Sequence, residues 1–191
     1  MIDIDISKSV FNKIYIPHLE NMARVQIYYG GAASGKSIYA AQRDVYDILK
    51  GGRNFLICRQ VARTVRKSVY AEIKKIIRQW KMVDLFQDNK SEMIITCVNG
   101  YQFHFAGLDD VDKLKSITPD KGVITDIRVE EATEASHNSI SQLMKRQRGG
   151  DEGTPKRLTL WFNPIIKSHW IYNEYFKPNR WAEDQTEYTG D

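Results

Sequence analysis

The sequence has 191 residues, of which 42% are hydrophobic and 27% are charged, and its formal net charge is +4. This length and composition suit a single soluble α/β domain that buries a substantial core. No apolar run approaches the ~20 residues of a membrane span, which excludes a membrane-spanning helix, and the mildly basic charge is a weak sign of a polyanionic partner.

The chain begins with a segment that we interpret as a lead before the first core element. Residues 1–5 are acidic and lack the basic start and apolar stretch of a signal peptide. The lead covers residues 1–24 and carries apolar and aromatic anchors, among them Phe11 and Tyr15. A strand is predicted next, over Val25–Tyr29, because this run is apolar and aromatic.

The most informative pattern follows this strand. Residues 30–37 read Gly-Gly-Ala-Ala-Ser-Gly-Lys-Ser and fit Gly-x-x-x-x-Gly-Lys-[Ser/Thr], and a helical pattern follows from Ser37. A strand, a glycine-rich turn and a helix N-terminus together form a cradle for a nucleoside triphosphate. In such a cradle the lysine reaches the β- and γ-phosphates and the hydroxyl holds Mg²⁺. The predicted nucleotide-binding residues are Gly30, Gly31, Ala32, Ala33, Ser34, Gly35, Lys36 and Ser37.

The helix is predicted over 38–49 and ends at Gly51-Gly52, and the apolar run Asn54–Arg59 is predicted as a strand buried on both faces. Its Cys58, like Cys97 further on, stands alone, so we expect buried free thiols in a reducing compartment. A second helix is predicted over 64–80 and carries many cations. Two interpretations of that basic surface stay open: an ordinary solvated face, or a DNA-binding face that includes Arg66, Lys67 and Lys74.

The remaining elements continue an alternation of strands and helices. Asn99-Gly100 between two apolar runs predicts a β-hairpin. A short polar helix or turn is expected over 109–116, a buried strand over 123–129, a helix over 139–147, a strand over Arg157–Phe162 and a last helix over 169–176. This order predicts an α/β fold with a mainly parallel central sheet flanked by helices, the hairpin being an insertion or a sheet edge.

Two acids end the strand predicted over 123–129. Open α/β sheets bind ligands at the carboxyl ends of their strands, where Glu130 and Glu131 fall. We assign Glu130 to the metal side and Glu131 as the base that activates water, with Asp126 and Glu134 as weaker substitutes. Asn163 follows the strand Arg157–Phe162 and is predicted to contact the γ-phosphate or the attacking water, unless it only forms an Asn-Pro turn.

Together these segments resemble the ATPase domain of bacteriophage terminase large subunits, over most of the chain from about residue 25 to about residue 170. The loop alone is common to many families, whereas the later motifs are more specific. The resemblance is carried by Tyr29 through Ser37, by Ile57-Cys58-Arg59-Gln60 with Val65 through Val69, by Phe105 through Asp110 with Lys113 through Ile117, by Val129 through Glu134, and by Trp161-Phe162-Asn163-Pro164 with His169-Trp170.

The resemblance implies an ASCE-type P-loop NTPase fold, with the catalytic glutamate on a strand next to the loop strand. It implies ATP and Mg²⁺ as ligands and Asn163 as the coupling residue. It also implies a ring of subunits that moves double-stranded DNA into a procapsid, together with a portal protein and a small terminase subunit, in the host cell cytoplasm.

The sequence departs from such terminases in its cations. They often carry an arginine inside the phosphate loop, whereas the variable positions here are Gly31, Ala32, Ala33 and Ser34. Another cation must therefore assist at the γ-phosphate, and we name Lys115, acting from a neighbouring subunit, and Arg59 as catalytic candidates. The metal-side acid is also Glu130 rather than the commoner aspartate.

The chain is also shorter than the family's large subunits, which carry a nuclease domain after the ATPase. We expect residues 1–191 to form a single ATPase domain, with 177–191 as a tail or linker toward an absent nuclease domain, and no DNA cleavage.

Two other functions stay open. A P-loop kinase of small molecules needs an arginine-rich lid, which Arg146 and Arg148 imitate, but it does not need Glu131. A nucleotide-gated assembly module would bind ATP and hydrolyse it poorly until subunits meet.

Overall fold

The structure, a computed structural model, describes residues 6–147 and 153–179. Its centre is a seven-stranded sheet in the order β1-β7-β6-β2-β5-β4-β3. The strands from β1 to β5 in this order are mutually parallel, while β4 and β3 pair antiparallel at one edge. The strands are β1 (Val25–Tyr29), β2 (Asn54–Arg59), β3 (Phe86–Asn89), β4 (Ile94–Cys97), β5 (Gln102–Gly107), β6 (Ile124–Glu130) and β7 (Arg157–Phe162).

The helices join these strands. They are α1 (Lys36–Lys50), α2 (Ala62–Val65), α3 (Val69–Gln79), α4 (Val111–Ser116) and α5 (His137–Arg146). Short 3-10 helices cover Lys8–Val10, Lys13–His18, Val83–Leu85 and Ala132–Glu134, and a π-helix covers Tyr172–Phe176. None of the helices in the described ranges is both long enough and apolar enough to cross a bilayer.

Successive residues of β2 supply both hydrophobic cores, because neighbouring side chains of a strand point to opposite faces. Phe55 and Ile57 pack with α1 and α3 on one face. Leu56 and Cys58 pack on the other face with α5 and the π-helix. The sheet is therefore covered on both sides, as predicted, and both Cys58 and Cys97 are buried free thiols.

Most predicted elements are confirmed, including β1, β2 and β7 with the predicted bounds and a hairpin of β4 and β5. The edge itself is β3, which was not predicted and pairs with β4. The helix predicted over 64–80 is wrong as one element, because it breaks at Ser68, whose φ of −112° and ψ of −104° are not helical. The Ser68 hydroxyl donates to the carbonyl of Thr64 at 2.8 Å and so competes with the helical backbone pattern.

The predicted position of the acid-bearing strand is also wrong. β6 is not next to the loop strand β1, because β7 lies between them and pairs with both. The physical reason is that β7 is buried on both faces, so it takes an interior place in the sheet. Consequently β7, which Asn163 follows, connects the two halves of the candidate site.

Candidate active site

The phosphate loop joins β1 to α1 at the carboxyl edge of the sheet. Gly35 has φ +80° and precedes the first residue of α1, a left-handed conformation that glycine adopts without a Cβ penalty. Ala33 is also left-handed, with φ 63°. The N–H of Gly30 donates to the carbonyl of Phe162 at 3.3 Å, so the loop begins against the end of β7.

Lys36 is buried and joins the loop to the neighbouring strand end. Its Nζ donates to the carbonyls of Gly30 at 2.6 Å and Gly31 at 2.9 Å, and to the Ser34 hydroxyl at 3.1 Å. It also donates to Asn163 Oδ1 at 3.3 Å. Burial lowers the pKa of Lys36, and the charge of Glu130 opposes that effect. The structure thus brings together the predicted phosphate-binding lysine and the predicted coupling residue.

Ser37 and Glu130 meet on the same side of the loop. The Ser37 hydroxyl donates to Glu130 Oε1 at 2.7 Å. Glu130 Oε2 is buried and has no hydrogen-bond partner among the described residues. A hydroxyl and a carboxylate with a spare buried oxygen are the oxygen ligands that Mg²⁺ prefers. The residues present therefore fit the predicted metal position.

Glu131 adopts an unusual backbone conformation at the end of β6. Its φ of 53° and ψ of 47° are left-handed, which is uncommon for a residue other than glycine and concentrates at functional sites. Its carboxylate is half exposed and forms an ion pair with Arg59, which ends β2. Arg59 therefore reaches the site from within the same chain, since β2 pairs with β6.

The Gly-Leu-Asp motif after β5 holds the end of β2 that carries Arg59. The Leu108 N–H donates to the Arg59 carbonyl at 2.9 Å, and Asp109 Oδ1 accepts from the Ala62 N–H at 2.9 Å. A Cβ on Gly107 would lie 2.3 Å from the Ala62 nitrogen, so only glycine permits this approach. The motif that carries part of the resemblance thus has a direct structural role.

A buried network of charged residues, here called the charge seam, lies between β6 and α1. Asp126 bonds to Arg53 at 2.9 Å and to Arg157 at 2.5 Å, and Arg157 also bonds to Asp47 at 2.5 Å. Asp126 is therefore structural and lies at the far end of β6 from Glu130, so its substitute role is not supported. The seam comprises Arg43, Asp44, Asp47, Arg53, Asp126, Arg128 and Arg157, all of them buried.

Sequence reasoning missed two carboxylates of this region. Asp44 lies 3.1 Å from the Arg128 guanidinium, yet burial still raises its pKa to about 7. Glu72 of α3 has a buried Oε2 without a hydrogen-bond partner in the described chain. Burial raises the pKa of Glu72, with Arg128 lowering it and Glu130 raising it further. Asp44 and Arg128 each stand as a charged residue among apolar neighbours in the sequence, and this pattern could have indicated buried charges.

The lead segment also contributes to the site. The Tyr15 hydroxyl donates to the carbonyl of Ser34 at 3.1 Å, and its ring stacks on Tyr39 with centroids 4.4 Å apart. The sequence marked Tyr15 only as a hydrophobic anchor, and its periodicity carries no sign of a contact with the phosphate loop.

The other predicted cations are separate from this site or outside the description. Lys115 is in α4, but its side chain is outside the described part. Lys74 pairs with Asp88 at 2.5 Å, and Arg66 donates to the Lys90 carbonyl at 2.7 Å, whereas Lys67 is exposed. Glu134, the other substitute acid, is exposed in the 3-10 helix after Glu131. The Arg146 side chain, Arg148 and residues 180–191 are outside the described residues.

A parallel α/β sheet with a Gly-Lys-Ser loop between β1 and α1, and with an acid of β6 bonded to that serine, defines a P-loop nucleotide-binding fold. Residues 22–191 match the family described as phage terminase large subunit. The chain belongs to this family.

Individual relatives agree with the family match. The chain is 28% identical over 169 residues to the PBSX phage terminase large subunit of Bacillus subtilis (strain 168), covering 86% of this chain and 38% of that protein. The chain thus spans less than two-fifths of that relative's length.

Solved structures share the fold. The N-terminal domain of the DNA packaging ATPase from bacteriophage phi29 has a TM-score of 0.64 at 16% identity, covering 85% of this chain and 84% of that one. The large terminase of a thermophilic bacteriophage, solved in complex with ATP-gamma-S, has a TM-score of 0.59 at 18% identity, covering 81% of this chain and 36% of that one. The chain therefore has the P-loop ASCE fold of terminase ATPase domains.

Proposed function

We propose that this chain binds ATP with Mg²⁺ and hydrolyses ATP, as the motor domain of a DNA-packaging terminase. The observation that carries this proposal is the pair of bonds across the sheet edge: Ser37 to Glu130 at 2.7 Å, and Lys36 to Asn163 at 3.3 Å. They join the phosphate loop to an acid and to an amide on two other strands. The thermophilic phage terminase solved with ATP-gamma-S supports ATP as the nucleotide.

The roles follow from what each side chain offers. The Ser37 hydroxyl and the Glu130 carboxylate would hold Mg²⁺, which supplies positive charge next to the phosphates. Lys36, released from the loop carbonyls, turns its ammonium toward the β- and γ-phosphates. Glu131 accepts a proton from the attacking water, which requires its carboxylate to leave Arg59. Arg59 is then free to face the developing negative charge on the phosphate.

The wider assembly is a proposal for the whole protein, because the chain spans only 38% of the relative's length. In it, residues 1–191 are one ATPase domain whose end leads to a nuclease domain, and subunits form a ring that moves double-stranded DNA. A portal protein and a small terminase subunit are the expected partners, at the procapsid in the host cytoplasm. Lys115 is the candidate cation supplied by a neighbouring subunit.

One observation favours a second function, the nucleotide-gated assembly module. The ion pair of Glu131 with Arg59 occupies the proposed base within a single chain. If that pair persists with ATP bound, the isolated domain hydrolyses ATP slowly until a partner separates the two residues. The described residues give the kinase alternative no comparable support.

The two halves of the site can be tested separately. Glu131→Ala should keep ATP affinity and lose about 10²–10⁴-fold in turnover, because it removes the general base. Lys36→Ala should weaken ATP binding by about 10- to 100-fold, because it removes a charged donor to the phosphates. Steady-state turnover and equilibrium binding of a fluorescent ATP analogue measure the two effects.

Glu92→Ala is the matched control, since Glu92 is an exposed acid away from the loop. Full turnover in Glu131→Ala would show that another group acts as the base. Undetectable turnover in the unaltered chain, with ATP still bound, would favour the assembly module.

A further inference from the structure

Residues 163–176 connect the two halves of the proposed site. At their start, Asn163 Oδ1 accepts a hydrogen bond from Lys36 at 3.3 Å. Further on, the indole Nε1 of Trp170 donates to the carbonyl of Ala135 at 2.8 Å. His169 Nε2 lies 3.1 Å from the carbonyl of Thr133. This segment therefore runs from the phosphate loop to the residues that directly follow Glu131.

The hydrogen-bond pattern of His169 fixes its tautomer. Its Nδ1 accepts from the N–H of Ile171 at 3.2 Å, so this nitrogen carries no hydrogen. The other nitrogen, Nε2, then carries the hydrogen and donates to Thr133. Both ring nitrogens are therefore hydrogen-bonded, one to the backbone of its own segment and one to the segment after Glu131.

Trp170 is held in place from both sides. Its ring stacks on His137, the first residue of α5, with centroids 5.1 Å apart and planes 22° apart. Tyr175 approaches it edge-on at 6.4 Å. Its donated bond ends on Ala135, which is only 3% exposed, so water competes little for that carbonyl. The contact is thus packed as well as hydrogen-bonded.

The segment that receives these bonds has few restraints of its own. It consists of left-handed Glu131, the three-residue 3-10 helix Ala132–Glu134, and Ala135 before α5 begins. Its internal backbone bonds are Glu134 N–H to the Glu131 carbonyl at 2.9 Å and Ala135 N–H to the Ala132 carbonyl at 3.2 Å. Short 3-10 turns are weak, so outside contacts decide where Glu131 sits.

We propose that His169 and Trp170 are positioning residues for ATP hydrolysis. They hold the carbonyls of Thr133 and Ala135, which fixes the backbone that aims Glu131, and they tie that backbone to the strand end carrying Asn163. The inference rests on the proposed function, because the role of Glu131 as the base is itself proposed. Their described hydrogen bonds go to the protein backbone, so both are proposed to act through the segment 131–136.

The test uses variants that remove one bond each. Trp170→Phe keeps a ring for His137 to stack on and loses the indole donor. His169→Ala removes the donor to Thr133, whereas His169→Gln retains an N–H that reaches in the same direction and should restore much of the effect. Tyr172→Phe is the matched control, since it changes an aromatic side chain of the same segment that has no described bond to 131–136.

Two measurements are made on each variant of the full chain. Hydrogen exchange of the amides in 131–136, without nucleotide, should become about tenfold faster in Trp170→Phe and His169→Ala, because a local restraint is lost. The turnover number should fall about 10- to 100-fold at unchanged ATP affinity, because a small misplacement of a catalytic group has that effect. The control should match the unaltered chain in both.

The outcomes separate this inference from the proposed function. Unchanged exchange in 131–136 would show that the two side chains do not hold this segment. Faster exchange with full turnover would remove their role in hydrolysis. If the unaltered chain has no turnover, the proposed function fails and the positioning role fails with it, while exchange still decides whether the contact restrains 131–136. Near-normal values in His169→Gln beside a defect in His169→Ala support the donated bond over simple bulk.

Discussion

Residues that are far apart in the chain form hydrogen bonds with each other at the carboxyl edge of the sheet. Lys36 and Asn163 are 127 positions apart, and Ser37 and Glu130 are 93 positions apart, yet each pair is hydrogen-bonded. The side chains that meet there are those that the phosphate-loop pattern, the paired acids and the Asn-Pro turn mark in the sequence. Arg59 is different, because it forms an ion pair with Glu131 and is proposed to face the phosphate only after that pair separates.

Arg59 is expected to assist hydrolysis once Glu131 releases it. Arg59→Ala should therefore lower ATP turnover, by at least about tenfold, because a cation at the γ-phosphate is lost. Arg59→Lys should recover part of the rate, since it keeps the charge but not the planar fork. Single-turnover hydrolysis with excess protein measures the chemical step directly.

The opposite result has a definite meaning. Faster hydrolysis in Arg59→Ala would identify Arg59 as a restraint on Glu131 and would favour the nucleotide-gated assembly module. Lys113→Ala is a control, because Lys113 is a partly exposed cation that lines a separate groove beside β4 and β5.

At the scale of elements, α1 has two roles. Its N-terminus carries the phosphate loop, and its buried face supplies Arg43, Asp44 and Asp47 to the charge seam against β6 and β7. An element that begins at the phosphate loop is thereby bonded through its middle to β6, which ends at Glu130, and to β7, which Asn163 follows. Removing one partner of such a buried pair lowers the free energy of unfolding by about 3–5 kcal/mol, because it leaves an uncompensated buried charge.

Asp44 makes this seam sensitive to pH. Burial raises the pKa of Asp44 from 3.8 to about 7, so the folded chain binds a proton that the unfolded chain releases between these values. Asp44 therefore stabilises the folded chain most below about pH 4, and this stabilisation is lost as the pH rises to about 7. As the pH rises across this window, the free energy of unfolding of Asp44→Asn should increase relative to that of the unaltered chain, by at most about 1.4 kcal/mol per pH unit.

Urea unfolding of both proteins at several pH values measures this difference. Parallel stability profiles from about pH 4 to about pH 7 would show that Asp44 keeps its charge in the folded state.

Sequence patterns predicted the elements well and the side-chain partnerships poorly. The phosphate loop, β1, β2 and β7 follow from local periodicity and turn chemistry, which act over a few residues. The order of β1, β7 and β6 depends on long-range burial, so the acid strand was misplaced. The contacts of Tyr15 and of the charge seam were not predicted because they join residues of different elements. The buried Oε2 of Glu72 was not predicted because it depends on how α3 packs. The helix break at Ser68 was not predicted, because the helical spacing of apolar residues continues across it.

At the scale of the whole molecule, the basic residues of the 64–80 region make their described side-chain hydrogen bonds with β3 and the turn after it. Arg66 and Lys67 are exposed between α2 and α3, whereas Lys74 is engaged by Asp88. Arg66, Lys67 and Lys74 all stay DNA-binding candidates beside the interpretation as a solvated face, and the two exposed residues are the first to test.

DNA binding through these two residues has a measurable salt dependence. The double variant Arg66→Glu with Lys67→Glu should lower the slope of log affinity against log salt by about two, because each lost phosphate contact releases about 0.9 counterions fewer. Fluorescence anisotropy with double-stranded DNA at several salt concentrations measures the slope. Lys8→Glu with Lys13→Glu is the matched control, since both are exposed lysines of the lead. Equal slopes in both double variants would return this surface to an ordinary solvated face.

The place of β7 between β1 and β6 has a mechanical consequence for the proposed motor. Any ligand that draws Asn163 toward the phosphates also displaces the segment behind it, and linkage makes such couplings reciprocal. In the proposed motor, a pulling load on that segment is therefore expected to weaken nucleotide binding. We expect stalling under load to begin as a loss of ATP affinity.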